Sequence, residues 1–256
     1  MPGRQILDGL LIPNELVDDA HKRKKDLLLF KVDFEKAFDS VDLKYLDIVL
    51  RRMNFPSLWR KWMMECISTP SVSILVNGSP TDEFSLERGL RQGDPLSPFL
   101  FLNVVEGLHV MMNTMVEHGL FAPYTVGAHG NVDISHLQFV DDTLLVGVKS
   151  WGNIRILKSV LLLFESVSGL KVNFHKSMLY EVNVAGSWLH EAASVLHCKH
   201  GRLPFLYVGI PMNGRLILLM SVLSSISVYF ISFFKAPLGI ISILESLFNA
   251  FFLGGM

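Results

Sequence analysis

Charge is scarce in this chain. Only 18% of its 256 residues are Asp, Glu, Lys or Arg, against 50% hydrophobic residues. There is ample apolar material to offset ordering entropy, which excludes a disordered chain. Positive charge is not in excess either. The 23 Lys+Arg face 24 Asp+Glu, for a net charge of −1. Nucleic-acid binding by global electrostatics is thereby excluded, and any such contact must be local. Cysteine is nearly absent: Cys66 and Cys198 cannot make a disulfide framework and form no Cys-x-x-Cys pair for zinc. A reducing intracellular setting follows. Met1-Pro2-Gly3-Arg4 opens no signal peptide. The length suits one large domain or two small ones, with no internal repeat and no low-complexity linker.

The shortage of charge is most severe at the C-terminal end. Residues 203–256 contain only Arg215, Lys235 and Glu245 as charged side chains. Leu216 to Phe234 is a run of 19 residues without a charge, long enough for a membrane-spanning helix. Five serines within it and a thin positive flank at Arg215 argue instead for a buried helix, and both readings stay open on composition.

Periodicity divides the rest into an α+β pattern. Ile6 to Lys25 reads as a helix ending in the cations His21-Lys-Arg-Lys-Lys25, which suit a helix C-terminus. Leu27 to Phe34 is an apolar run of strand length that carries Asp33 near its end. Ser40 to Met53 reads as an amphipathic helix capped by Ser40 or Asp42. Two strand-like runs, Ser71–Gly78 and Glu83–Arg88, flank a turn expected at Gly78-Ser-Pro-Thr81. The turn-rich stretch Gly89–Pro98 leads into a helix over Phe99–His118, a loop-to-helix junction that suits an anion. Leu137 to Val146 predicts a tight hairpin with Asp141 and Asp142 at its tip. Helices near Asn153–Val167 and Ser187–Leu196 and strands near Ser177–Val182 and Phe205–Ile210 complete the pattern. His197-Cys198-Lys199-His200 fits no zinc spacing and reads as a surface turn.

The three acids have two readings. Asp141-Asp142 can be an ordinary solvated turn, since Asp favours turns for local hydrogen-bonding reasons. Alternatively, the strands ending on Asp33 and on Asp141-Asp142 lie side by side and gather three carboxylates. Such a cluster repels itself and needs a cation, and hard oxygen ligands select Mg²⁺. A pair of such ions is the standard device for phosphoryl and nucleotidyl transfer.

Four ordered motifs carry a specific resemblance. They are Lys31-Val-Asp-Phe-Glu-Lys-Ala-Phe-Asp39, Gly89-Leu-Arg-Gln-Gly-Asp-Pro-Leu-Ser-Pro98, Phe139-Val-Asp-Asp142 and Gly169-Leu-Lys-Val-Asn-Phe-His-Lys-Ser177. In order and spacing they resemble the reverse transcriptase domain, in particular that of plant LINE-type (non-LTR) retrotransposons. The likeness runs from Gly3-Arg-Gln-Ile-Leu-Asp-Gly9 to Phe205-Leu-Tyr-Val-Gly-Ile-Pro211 and on into the apolar end. It implies a polymerase palm, an antiparallel sheet backed by helices, with partial fingers and a truncated helical thumb. The implied division is a palm with partial fingers over 1–185, a connection with a primer-grip-like hairpin over 186–214, and a thumb-like apolar remnant over 215–256.

By position, the resemblance makes Asp33, Asp141 and Asp142 the catalytic and metal-binding acids, holding two Mg²⁺ ions, with Mn²⁺ as a substitute. It makes Phe38 the aromatic that blocks a ribose 2′-hydroxyl, Arg91 a phosphate contact, and Gln92 and Gly93 the loop against nucleotide and template. Lys176 becomes a general acid for pyrophosphate. Away from the family each has a plainer fate, such as a core aromatic for Phe38 or a surface cation for Arg91 and Lys176. The implied partners are an RNA template, a DNA primer and deoxynucleoside triphosphates, with no obligate protein partner and no membrane. Lys22–Lys25, Arg51-Arg52, Arg60-Lys61, Arg88 and Arg91 are the local cations placed to track phosphates. A retroelement polymerase that primes on chromosomal DNA would work in the nucleus.

The family pattern breaks in two places. The upstream fingers segment that supplies a triphosphate-binding cation is not found ahead of the first motif. After Pro211-Met-Asn-Gly214 a polar stretch of about thirty residues is missing, judged from typical element spacing. Three expectations follow: an RNA-directed DNA polymerase domain, a catalytically inactive retrotransposon-derived fragment, or a membrane-associated protein anchored by 216–234.

Overall fold

A computed structural model describes residues 6–69, 71–85, 88–127, 132–183, 186–208, 210–212, 242, 243 and 246. In chain order, α1 (Ile6–Arg23) leads into β1 (Leu27–Val32), followed by α2 (Leu43–Arg52) and α3 (Ser57–Ser68). Four short strands come next: β2 (Ser71–Val72), β3 (Leu75–Val76), β4 (Ser79–Pro80) and β5 (Phe84–Ser85). Then come α4 (Ser97–Glu117), β6 (Tyr124–Val126), β7 (Val132–Ile134), β8 (His136–Phe139) and β9 (Asp142–Gly147). The remaining elements are α5 (Trp151–Ser168), β10 (Met178–Val182), α6 (Gly186–Leu196), β11 (Lys199–Gly201), β12 (Phe205–Tyr207) and β13 (Ile210–Met212).

The longest apolar strand becomes the centre of the molecule. β1 pairs antiparallel with both β9 and β10, in a five-stranded sheet of order β11-β10-β1-β9-β8. Successive side chains of a strand point to opposite faces, and here each face is buried by a different layer. Leu28, Phe30 and Val32 join Leu145 and Leu179 in a core shared with residues of α2, α4, α5 and α6. Leu27 and Leu29 join Leu144, Val146, Tyr180 and Val182 in a second core closed by α1 and by the β12–β13 hairpin. Burial on both faces is why β1 reads as a continuous apolar run. Each fully buried Leu or Phe contributes roughly 1.5–3 kcal/mol.

Local chemistry sets several boundaries. Asp42 caps α2 by accepting hydrogen bonds from the Lys44 and Tyr45 amides, which settles the choice between Ser40 and Asp42. α5 ends at Gly169, which takes the left-handed conformation that lets a helix terminate. β1 is shorter than its apolar run, and beyond Val32 Phe34 makes only an isolated antiparallel bridge with Val172.

Two expectations are corrected and one element is new. The turn in the region 71–85 is Asn77-Gly78, both at positive φ, rather than 78–81; this pair suits a two-residue hairpin loop. α3 was not anticipated. His197–His200 is not a simple turn, since Lys199–Gly201 adds a parallel edge strand to β10. The membrane-anchor expectation falls on residues 216–234, outside the described residues. Among the described residues, α4 is long and apolar enough to cross a membrane. It packs against α2 and α5, with Leu100, Phe101, Val104, Leu108 and Met112 buried.

Candidate active site

The β8–β9 hairpin closes with two residues, Val140 and Asp141, because Phe139 pairs with Asp142. Val140 sits at φ +53°, a region β-branched residues rarely enter, so the tip that carries the acids stores backbone strain. β1 and β9 are in a register that sets Val32 opposite Thr143. Beyond that last pair, Asp33 follows Val32 and Asp142 precedes Thr143 at the same end of the sheet, with Asp141 next in the turn. The sheet therefore gathers all three acids at one end. Asp141 is exposed, and Asp33 and Asp142 are half-buried.

The other expected site residues hang from the same end of β1 by backbone hydrogen bonds. The Leu90 amide donates to the Phe38 carbonyl (2.6 Å) and the Gly89 amide to Val41 (2.9 Å). These bonds tie the loop holding Arg91, Gln92 and Gly93 to the segment that follows Asp33. Gly89 is at φ +90°, and a Cβ there would lie 2.6 Å from the Asp39 carbonyl oxygen, so only glycine permits this approach. Gly93 is also at positive φ, but a Cβ there would meet no protein atom within 4 Å. Phe38 is half-buried and stacks on Phe101 at 4.6 Å, while Gln92 is exposed and Arg91 half-buried. Asp94 accepts a hydrogen bond from the Leu96 amide at 2.8 Å, just ahead of α4.

Lys176 is exposed, in a turn stitched to the acid strand. The Asn173 amide donates to the Asp33 carbonyl at 2.8 Å. The Asp33 amide donates to Ser177 Oγ at 3.0 Å, and that hydroxyl donates to the Asn173 carbonyl at 2.8 Å. Ser177, buried to 1% exposure, was not singled out from sequence and has no sequence signal beyond its place in the fourth motif.

Two more contributors were missed. Lys31 Nζ lies 3.2 Å from Asp142 Oδ1 and donates to the Leu206 carbonyl at 2.9 Å. The period-two rule would have found it, because residues 31 and 33 of a strand share a face. Tyr207, fully buried on β12, places its hydroxyl 3.5 Å from the Asp142 carbonyl. Burial, with Asp142 beside it, pushes the Tyr207 phenol well above its usual range.

Hard carboxylate oxygens are the right donors for Mg²⁺. Among the described residues, no three His, Cys, Asp or Glu side chains converge closely enough to hold an ion. Asp142 instead pairs with Lys31, so Asp33 and Asp141 are the carboxylates left to a metal. A cavity of about 490 Å³, lined by Lys24, Lys25, Asp26, Tyr124, Val148 and Lys149 among others, lies at the opposite end of the sheet, where β1 begins. Several expected phosphate-tracking cations already have partners: Arg60 pairs with Asp47 at 2.5 Å, Lys22 with Asp18 at 2.9 Å and Arg23 with Asp19 at 2.6 Å.

The chain is 29% identical over 189 residues to the Pol polyprotein of the type-1 retrotransposable element R2 of Popillia japonica, covering 72% of the chain and 26% of that protein. It is 29% identical over 177 residues to the corresponding R2DM polyprotein of Drosophila melanogaster, covering 69% of the chain and 16% of that protein. An uncharacterized mitochondrial protein of Arabidopsis thaliana is 41% identical over 69 residues, 27% of this chain and 56% of its own. The chain thus spans about a quarter or less of the R2 polyproteins it matches.

Among solved structures, Candida albicans telomerase in complex with a telomeric RNA fragment aligns with a TM-score of 0.55 at 13% identity, over 83% of this chain and 34% of that one. Apo telomerase of Candida tropicalis aligns with a TM-score of 0.54 at 12% identity, over 79% and 38%. The α+β fold is that of a polymerase palm. Residues 1–212 match the family described as reverse transcriptase (RNA-dependent DNA polymerase), and the chain belongs to that family, with homology to the polyproteins of non-LTR R2 retrotransposons.

Proposed function

We propose that this chain is the polymerase domain of a LINE-type retroelement and that it catalyses RNA-directed DNA synthesis. The observation that supports the reading is the register of β1 on β9, whose last pair, Val32 and Thr143, is followed at one sheet end by Asp33 and Asp142, with Asp141 in the adjoining turn. The 41% match to an Arabidopsis protein supports a plant element.

In the reaction, a primer 3′-hydroxyl gives its proton to solvent, its oxygen bonds to the α-phosphorus of a deoxynucleoside triphosphate, the bond from that phosphorus to the bridging oxygen breaks, and pyrophosphate leaves. Asp33 and Asp141 would hold Mg²⁺, with Asp142 alongside. Two such ions, when bound, stabilise charge on the attacking and leaving oxygens. Phe38, held against Phe101, is the side chain that excludes a 2′-hydroxyl. Gln92 and Gly93 lie along the nucleotide and template, where the positive-φ glycine leaves room for close approach. Arg91 contacts phosphate and Lys176 supplies a proton to pyrophosphate. The β12–β13 hairpin, seated against Asp142 by Tyr207, meets the primer end. Priming on chromosomal DNA would place the reaction in the nucleus.

The test is primer extension on an RNA template with Mg²⁺, comparing wild type with Asp141→Asn. Loss of the carboxylate is expected to lower extension by about a hundredfold or more. Equal extension by both would remove the catalytic reading. No extension by either would favour an inactive retrotransposon-derived domain.

A further inference from the structure

We infer that Lys31 is a positioning residue, whose ammonium clamps the Asp142 carboxylate to the β12–β13 hairpin and so couples the acid cluster to the element expected to hold the primer. The role in primer binding rests on the polymerase reading, and the clamp itself rests on geometry alone. Lys31 and Asp33 share a face of β1, and Asp142 lies on the same face of β9. From there Nζ reaches Asp142 Oδ1 at 3.2 Å and the Leu206 carbonyl at 2.9 Å. A second link joins the same two elements, since the Tyr207 hydroxyl lies 3.5 Å from the Asp142 carbonyl.

The hairpin that receives these contacts is well seated. Phe205 stacks on Tyr180 at 4.1 Å, and Met212, fully buried, accepts a hydrogen bond on Sδ from Asn14 of α1 at 3.2 Å. A movement of the hairpin is therefore felt at Asp142 through Lys31. Electrostatics point the same way. Three carboxylates at one sheet end repel one another, and a cation at contact distance relieves one of them before any metal binds. Lys31 and Asp142 are about one-third exposed, so the pair is partly screened by water. Its contribution is orientation more than raw stability.

The experiment combines two readouts on the same proteins. Thermal melts in EDTA of wild type, Lys31→Met, Asp142→Asn and the double variant form a mutant cycle. Each single change is expected to shift Tm by about 2–4 °C, and the double variant to fall no further than the larger single shift. Added Mg²⁺ should raise the Tm of Lys31→Met more than that of wild type, because Asp142 is then an unpaired carboxylate. In primer extension, Lys31→Met should raise KM for the primer–template roughly tenfold while kcat falls by less than about threefold, since positioning is lost and the chemistry is retained. Lys31→Arg should recover most of the KM.

Additive melts, or an unchanged primer KM in Lys31→Met, would overturn the clamp. Asp33→Asn separates the two questions. If it abolishes extension while the cycle is additive, the clamp fails and the polymerase reading stands. If wild type extends no primer, the polymerase reading fails and the EDTA cycle still decides the clamp.

Discussion

Ser177 ties down the backbone of Asp33, one of the three candidate acids. Its hydroxyl accepts from the Asp33 amide and donates to the Asn173 carbonyl, so one buried side chain satisfies a backbone donor and a backbone acceptor. Ser177→Ala leaves the Asp33 N–H without a partner in a buried setting. It is expected to cost about 1–3 kcal/mol, read as a lower urea midpoint; a change within about 0.5 kcal/mol would show that another group takes over. Asp33, Asp141 and Asp142 were legible as candidates because acids at the ends of apolar runs need a reason. Ser177 was not, since its partner lies 144 residues away along the chain. Lys31 was visible in its motif but had no role until the strand face and the opposing hairpin were known.

At the scale of elements, long apolar periodic segments were read well and short polar ones were not. The runs that became β1, β9, β10, α4 and α5 each bury an apolar face, so their patterns carry the signal. α3 gives a poor pattern, because it buries Ile67 while exposing Leu58 and Trp62 at 57% each. β11 is Lys-His-Gly, a polar edge strand whose partner decides its state.

The joint between α5 and α2 depends on one glycine. Gly169 is at φ +77°, and a Cβ there would lie 2.5 Å from the Ser40 carbonyl oxygen and 3.1 Å from the Asp42 amide nitrogen. The same amide donates to the Ser168 carbonyl at 2.8 Å. Gly169→Ala is expected to destabilise by about 1–3 kcal/mol through strained backbone, with further loss from the contact. Thermal unfolding followed by circular dichroism checks it, and a melt matching wild type would show that the joint relaxes freely.

For the molecule as a whole, buried and half-buried phenols and the half-buried thiol of Cys198 make stability sensitive to alkaline pH. Burial pushes Tyr45 from 10.0 up to about 12 and Cys198 from 9.0 up to about 12. Tyr124 and Tyr207 are raised further, by burial together with Asp19 and Asp142 respectively. In each case the fold favours the protonated, neutral form. The stabilisation is full below the unfolded values of 9.0 and 10.0 and is lost as pH rises through about 12. Urea midpoints should therefore fall between pH 8.5 and pH 11, test conditions chosen to span roughly the onset of that titration. Cys198→Ala should show a shallower fall by the share of one proton. A flat profile over this range would contradict the burial of these groups.

The sequence by itself determined the fold class and the order of the four motifs, because hydrophobic period and motif spacing are local properties, and it marked Asp33, Asp141 and Asp142 as candidate acids. It also determined the near-neutral balance of charge, which makes phosphate contacts a matter of particular residues. Tertiary structure alone decided which groups meet. Register brought the Asp33 and Asp142 ends of β1 and β9 to one end of the sheet, and chain return over 175 residues brought the Leu206 carbonyl to Lys31. Such contacts depend on strand pairing and on which face each strand buries, and no window of sequence contains both partners.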